Sequence, residues 1–353
     1  MTSPQISVTF TELGISAITR GDKGTVALIV RDAAEVVPFA ITQANQTPDT
    51  LGKETQDYIK RTFLGYVNPA KKVIVYVMAP GGKLADALDY MATYEFDYIC
   101  GPADCTKEDA SEIASWVKSR RMNDGAKYKA VLPNHRADNY AIVNFTGDAM
   151  TDGTTVWTTA EYCSRIAGLL AGTPMKIAAT YAPLPELSDC ARLNREESDE
   201  AVGKGELALK WDGRKVKLNR AVTSLVTTSQ GMLDSFKKIK IVEIMDLIRT
   251  DITSTAEDDY VGKFANTYDN KLLLITAIRG YFMGLEQSQL VQPGYTVDLD
   301  VDSIEQYLMS RGTNTDEMTE QQIREADTGS HVFIKVRCKI LDAIEDIFIE
   351  VEI

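Results

Sequence analysis

Apolar positions follow several patterns along the chain. Residues 5–11 alternate strictly, with Ile6, Val8 and Phe10 set against Ser7, Thr9 and Thr11, and that period of two predicts a strand with one apolar side. Pro4 precedes it, and Gly14, Gly21 and Gly24 follow in a polar span whose composition predicts flexible joints. From Thr25 the grammar changes. Segments 25–30 (TVALIV) and 72–78 (KVIVYVM) are β-rich and apolar on both faces, as strands in the middle of a covered sheet must be. Between them, TPDTLGKETQDYIKRTFLG places a capping residue before an amphipathic stretch in which Ile59 and Phe63 recur at i,i+4, which predicts a helix. The alternation continues through a strand at 97–100, a helix over 107–122 with Ile113, Trp116 and Val117 inward, strands at 128–132 and 141–145, and a helix over 158–171. Strands and helices in turn imply a layered α/β sheet.

Beyond Pro183 and Pro185 the chain becomes polar and charged through LNREESDEAVGKG. ELALK and RKVKL then flank Trp211, Asp212 and Gly213, and Asp-Gly between alternating segments predicts a hairpin. FKKIKIVEIMDLIRT opens a mainly helical region in which 271–286 (KLLLITAIRGYFMGLE) is apolar on nearly every side and predicts a buried helix. Strands return at the end. Val332, Ile334, Val336, Cys338 and Ile340 alternate with mostly charged partners, and after a short turn Ile347, Ile349, Val351 and Ile353 alternate with Phe348, Glu350 and Glu352. The expected divisions are an N-terminal strand arm at 1–20, an α/β domain at 21–240, a second α+β domain at 241–341, and a C-terminal strand arm at 342–353.

Composition narrows the function. At 353 residues, and roughly 150 residues per domain, two domains are expected. Lys and Arg number 38 against 51 Asp and Glu, a net charge of −13, the wrong sign for a protein whose affinity comes from neutralising phosphates. No nucleic-acid partner is expected. The longest apolar run, Val73 to Ala79, is far short of the about 20 residues that span a bilayer, so no membrane association is expected. The opening MTSPQISVTF has neither a basic nor an apolar signal region, which points to the cytoplasm. Cys100, Cys105, Cys163, Cys190 and Cys338 form no CxxC and have only His135 and His331 to join them. They are expected to be reduced and buried rather than metal-binding.

The sequence spells no complete catalytic constellation. VIVYVMAPGGKLADAL has the outline of a nucleotide-binding turn, yet neither GxGxxG nor GxxxxGK[ST] is present, so Gly81 and Gly82 predict a tight β-to-α turn and no cofactor. Asp327-Thr328-Gly329-Ser330 spells an aspartic-protease signature in a single copy, whereas that chemistry needs two carboxylates sharing a proton. A turn is expected there. GxSxG is absent, His135 lies among turn formers and His331 heads a strand, so no catalytic residue is assigned. Basic residues cluster over 204–220 and at Lys237, Lys238 and Lys240, while 298–327 and 342–353 are acidic. Opposite charges on different segments can register identical subunits against each other.

Asn219-Arg220-Ala221-Val222, Lys240-Ile241-Val242, Met245-Asp246, and Gly262-Lys263 with Asn266, Asp269, Asn270 and Lys271, together with EYCSRIAGLLAGTPMKIAATYAPLP, form long blocks. These blocks resemble the contractile phage tail sheath proteins, especially the compact sheaths of Gram-positive phages and phage-tail-like bacteriocins. The resemblance implies an outer α/β domain related in fold to subtilisin without its triad, and an inner domain facing a tail tube. It implies a helical homopolymer, with tube, baseplate and tail terminator proteins as partners, that assembles in the cytoplasm and leaves in a tail particle. It also implies that terminal arms are lent to neighbours. With the alternation this makes Ile6, Val8, Phe10, Ile347, Ile349, Val351 and Ile353 the exchanged positions, and Val332, Ile334 and Val336 the receiving edge. Lys237, Lys238 and Lys240 are candidate tube or subunit contacts. The rival expectations are a degenerate α/β hydrolase, which would be a finite oligomer, and a static shell protein with one lattice state.

Overall fold

Val26, Leu28 and Val30 face one side of their strand and Ala27 and Ile29 the other, and all five are buried, which requires helices on both faces of the sheet. In the computed structural model, which describes residues 17–21 and 23–352, this strand is β1 (Thr25–Arg31). It lies inside a seven-stranded sheet with β2 (Phe39–Ile41), β3 (Lys72–Met78), β4 (Tyr98–Cys100), β5 (Lys129–Pro133), β6 (Ile142–Phe145) and β9 (Glu206–Leu207). The order is β2-β3-β1-β4-β5-β6-β9, parallel throughout except for the β2–β3 pair. The short hairpin β7 (Met150–Thr151) and β8 (Val156–Trp157) stands apart from it.

Helices α1 (Lys53–Thr62) and α4 (Thr159–Ala171) cover one face, packing Tyr58, Ile59, Tyr162 and Ile166 on Val26, Leu28, Val73 and Val75. Helices α2 (Leu84–Met91) and α3 (Lys107–Asn123) cover the other, with Leu88, Met91, Ile113 and Val117 on Ala27, Ile29, Ile74 and Ile99. The α1–α4 contact is close enough to require glycine. A Cβ on Gly168 would lie 1.8 Å from the Thr62 carbonyl oxygen. Thr106 and Thr158 cap α3 and α4 with reciprocal bonds to Asp109 and Glu161. The side-chain cap expected before α1 is not used. Its N-cap is Gly52, whose N–H is instead taken by Asp32 at 2.9 Å.

The chain divides into two units. Residues 23–247 with 342–352 form one, and 17–21 with 248–341 the other. The first also contains α5 (Arg195–Gly203) and the Asp-Gly hairpin, β10 (Leu209–Trp211) with β11 (Val216–Leu218), where Asp212 accepts from the N–H groups of Arg214 and Lys215. The division falls inside α6 (Ile239–Thr255). In the first half of this helix two buried carboxylates meet the N-terminal ends of the central strands. Glu243 accepts from Lys23 and from the Tyr98 hydroxyl, each at 2.6 Å. Asp246 accepts from Arg121 at 2.6 and 3.1 Å and from Lys129 at 2.8 Å.

The second unit holds α7 (Tyr268–Gln287), β12 (Thr296–Leu299), α8 (Val301–Ser310), α9 (Glu320–Glu325) and β13 (Ile334–Arg337). Two expectations are corrected here. Helix α7 is amphipathic, not buried all round. Ile275, Ile278, Phe282 and Leu285 face the core, whereas Leu272, Leu273 and Met283 are exposed on the opposite side, so its apolar surplus lies on the surface. The strand expected over 331–340 is regular only at 334–337, with an isolated bridge from Ile340 to Val291. Asp327 to Ser330 form a turn, with Asp327 accepting from the Gly329 N–H.

Because Asp246 neutralises two buried cations, its replacement leaves both uncompensated. We expect Asp246→Ala to destabilise the first unit by about 3–5 kcal/mol, measured by urea denaturation, with Asp246→Asn costing less. A loss below about 1 kcal/mol would show that the network is solvated.

Candidate assembly interface

Sequence alternation over 347–353 describes a strand, and a strand needs a neighbour. The structure supplies none among the described residues. Residues 342–352 run without assigned strand pairing, and Ile347 (72% exposed), Phe348 (95%), Ile349 (79%) and Val351 (74%) stand in solvent. Ile353 and the positions Ile6, Val8 and Phe10 lie outside the described residues. Contiguous apolar exposure of this kind marks a surface meant for a partner.

The root of this segment is fixed. Glu345 points inward, accepting from the Thr180 hydroxyl at 2.5 Å and lying 3.1 Å from Lys238 and 3.6 Å from Arg220. Lys238 also pairs with Asp342, and Arg220 with Asp346. Arg220, Glu345 and Asp346 border a cleft of about 550 Å³ that Asn194, Arg195 and Lys210 also line. Three side chains from three stretches of the chain, Thr180, Arg220 and Lys238, thus clasp residues 342–346. The corresponding N-terminal root is also held. The Gly21 N–H donates to Asp251 at 2.9 Å, and Asp251 also accepts from the Tyr281 hydroxyl at 2.7 Å. Gly24 is buried and donates to Asp97 at 2.7 Å. Gly21 and Gly24, expected to be free joints, are therefore anchors, while Gly14 lies outside the described residues.

The lysines nominated as contacts separate. Lys237 pairs with Asp234 at 2.9 Å. Lys238 is engaged by the chain's own C-terminal segment. Lys240 is buried, and that burial lowers its pKa against the pull of Asp342 and Glu345, so it is removed from any outer contact surface. Sequence reasoning missed Thr180, Arg220, Asp342, Glu345 and Asp346 as a group. Only the opposite charge of the 204–220 and 342–353 segments hinted at it.

The receiving positions lie on or beside β13. It pairs antiparallel with β12, placing Val336 opposite Val297 and Ile334 opposite Leu299. Among the described residues no strand occupies its second edge. Val297 and Leu299 are buried, yet Ile334 and Val336 remain half-exposed and Val332 is exposed. The side chains that face the core from the edge strand are incompletely covered, which is what a missing outer strand leaves behind.

Titration of the clasp follows from its charges. The hydrogen bond and charge of Arg220 hold the Asp346 carboxyl below its ordinary value. Its contribution is therefore complete above the usual aspartate range, about pH 4, and is lost as the pH falls through the lowered value. Partial burial opposes the charge on Lys238, but its bonds to Asp342 and Glu345 prevail and raise its pKa. That contribution is present below the usual lysine value of about 10.4 and disappears as the pH rises through the raised one. We expect cleavage between residues 341 and 346 in limited proteolysis to be slow and flat from about pH 5 to 9. Arg220→Ala with Lys238→Ala should accelerate it at pH 7 while leaving the unfolding midpoint of the first unit within experimental error. Unchanged cleavage would show that the clasp does not hold the segment.

Comparison with known proteins accounts for both units. Residues 78–224 match the phage tail sheath protein central domain, and residues 234–353 the phage tail sheath C-terminal domain. The chain is 35% identical over 352 residues to the tail sheath protein of Clostridium phage phiCD119, with 98% of each chain covered. A crystal structure of a sheath tail protein from Desulfitobacterium hafniense superposes with a TM-score of 0.69 at 15% identity, covering 84% of this chain and 94% of that one. The sheath of an extracellular contractile injection system, PVC, in its contracted state superposes with a TM-score of 0.71 at 13% identity, covering 100% and 98%. Those two likenesses establish a common fold, and the full-length identity to the phage protein goes further: this chain belongs to the phage tail sheath protein family.

Proposed function

We propose that this protein is the structural subunit of a contractile tail sheath, polymerising helically around a tail tube by exchange of its terminal strands. The single observation that carries the assembly mechanism is the pairing of opposites within one chain: an exposed apolar tail rooted by a charged clasp, and a β13 edge whose core-facing residues lack cover. A tail lent to a neighbour's edge satisfies both. On this reading the 23–247 unit is the outer body and the 248–341 unit faces the tube. Tube, baseplate and terminator proteins are the partners, and assembly precedes release in a tail particle. The family relationship supports a structural role over a catalytic one.

Energetics favour assembly on a template over spontaneous aggregation. Adding a six-residue tail gains about 1 kcal/mol for each of some four to six hydrogen bonds, and about 1.5–3 for each of three apolar side chains. Ordering it costs about 1–2 kcal/mol per residue. The two sums nearly cancel, so a single exchange is weak, and a subunit held through two arms gains from effective concentration within the lattice. Contraction then requires two packings of the same linked lattice, the second with larger contacts between outer bodies. The difference in burial and charge pairing supplies the work without a nucleotide.

Deleting residues 344–353, or replacing Ile347, Ile349 and Val351 with Asp, should leave a folded, soluble monomer that forms no tubes in electron micrographs. Normal tubes from either variant would overturn strand exchange. Wild-type tubes should occur in an extended and a shortened helical form, and a single form under every contraction trigger would instead indicate a static shell.

A further inference from the structure

We propose that charge selects which arm enters the β13 sheet and in what register: residues 347–352 of one copy add to the free edge of β13 on a second copy with Glu350 and Glu352 facing Lys335, Arg337 and Lys339. This rests on the arm exchange proposed above and adds to it the facing of the strand and the charges that choose it.

The two segments carry complementary alternations. In β13 and its extensions the even positions Ile334, Val336 and Cys338 are apolar and the odd positions Lys335, Arg337 and Lys339 are basic. In the tail the odd positions Ile347, Ile349 and Val351 are apolar, and the even positions Glu350 and Glu352 are acidic. The β12 pairing fixes which side of β13 needs cover, because Ile334 and Val336 share a face with the buried Leu299 and Val297. A tail strand presenting Ile349 and Val351 to that face necessarily presents its glutamates to the basic face. The match holds for either strand direction. A slip of one residue places the glutamates against the apolar face and the isoleucines in water, and a slip of two keeps the faces but alters which charges lie opposite each other.

The charges on both sides are available. Residues 342–352 contain five carboxylates and no cation. Asp342, Glu345 and Asp346 are used in the clasp, while Glu350 and Glu352 are exposed and make no ion pair among the described residues. On β13 and its extension, Lys335 is engaged by Asp300 and Asp302, but Arg337 and Lys339 are exposed and make no ion pair among the described residues. The other arm offers no such complement, since residues 5–11 read QISVTFT and contain no charged side chain. Opposite charges across neighbouring strands are favourable and like charges unfavourable, so the basic strand distinguishes the acidic tail from the neutral arm.

A charge-swap experiment on the full chain tests this. Arg337→Glu with Lys339→Glu should raise the critical concentration for tube formation about tenfold. Glu350→Lys with Glu352→Lys should do the same. All four changes together should return it to within about threefold of wild type, because the ladder is rebuilt with its signs reversed. Circular dichroism and sedimentation of each monomer check folding, and if the β13 variant misfolds, the tail variant, altered only at exposed unpaired positions, decides alone. Assembly of the tail variant at the wild-type concentration overturns the proposal, as does a fourfold variant that assembles no better than its poorer parent. Failure here is distinguishable from failure of strand exchange itself. Harmless charge reversal alongside a 344–353 deletion that abolishes tubes rejects only the ladder, whereas a deletion that still assembles rejects the exchange on which it rests.

Discussion

A β-strand satisfies half of its backbone through each neighbour, so an edge with no neighbour invites another strand. This chain carries the problem twice, once as a donor and once as an acceptor. Among the described residues, 347–352 have the alternation of a strand and no partner, and β13 has a partner on one side only. Neither can be repaired by side-chain packing, since the missing groups are backbone N–H and C=O. The proposed exchange brings the two together between copies, which would turn a liability of the single chain into the bond of a lattice.

Exchange of arms is useful only if each arm starts from a fixed place. A loosely tethered tail searches a large volume and contributes little effective concentration. Here the roots are held by charged and hydrogen-bonded groups around two carboxylates of low exposure, Glu345 and Asp251. Glu345 sits among Thr180, Lys238 and Arg220, and the Gly21 N–H rests on Asp251. The first half of α6 follows the same logic on a larger scale, with Glu243 and Asp246 seated on Lys23, Tyr98, Arg121 and Lys129. Charges buried in this way add less to stability than their number suggests, but they penalise any displaced packing heavily.

Much of this architecture was legible because it depends on local periodicity. The apolar runs of β1 and β3, the capped helices α3 and α4, and the Asp212-Gly213 hairpin all follow from patterns that short windows contain. What escaped was long-range. Nothing near Arg220 or Lys238 indicates that each will meet a carboxylate more than 100 residues away, and the lysines read as an outer contact were in part the chain's own clasp. Helix α7 misled for a different reason. Its apolar content alone does not assign faces, and Leu272, Leu273 and Met283 lie on the outside. Gly21 and Gly24 show the complementary error, since glycine permits a joint and equally permits a close, hydrogen-bonded contact.

The acidic balance of the chain now takes on a mechanical meaning. Copies carrying a net charge of −13 repel one another at a distance, which keeps monomers apart while their strand edges are open. An acidic tail is repelled by most of such a surface and attracted by its few basic stretches, so the sign that prevents indiscriminate pairing also directs the specific one. Screening limits the effect to roughly the Debye length, about 8 Å at physiological salt. Discrimination therefore acts at the last step of docking, where register is chosen, and not during the approach. A lattice joined in this way can change the contacts between its outer bodies without breaking its strand pairs, because the pairing energy resides in backbone bonds whose partners do not change.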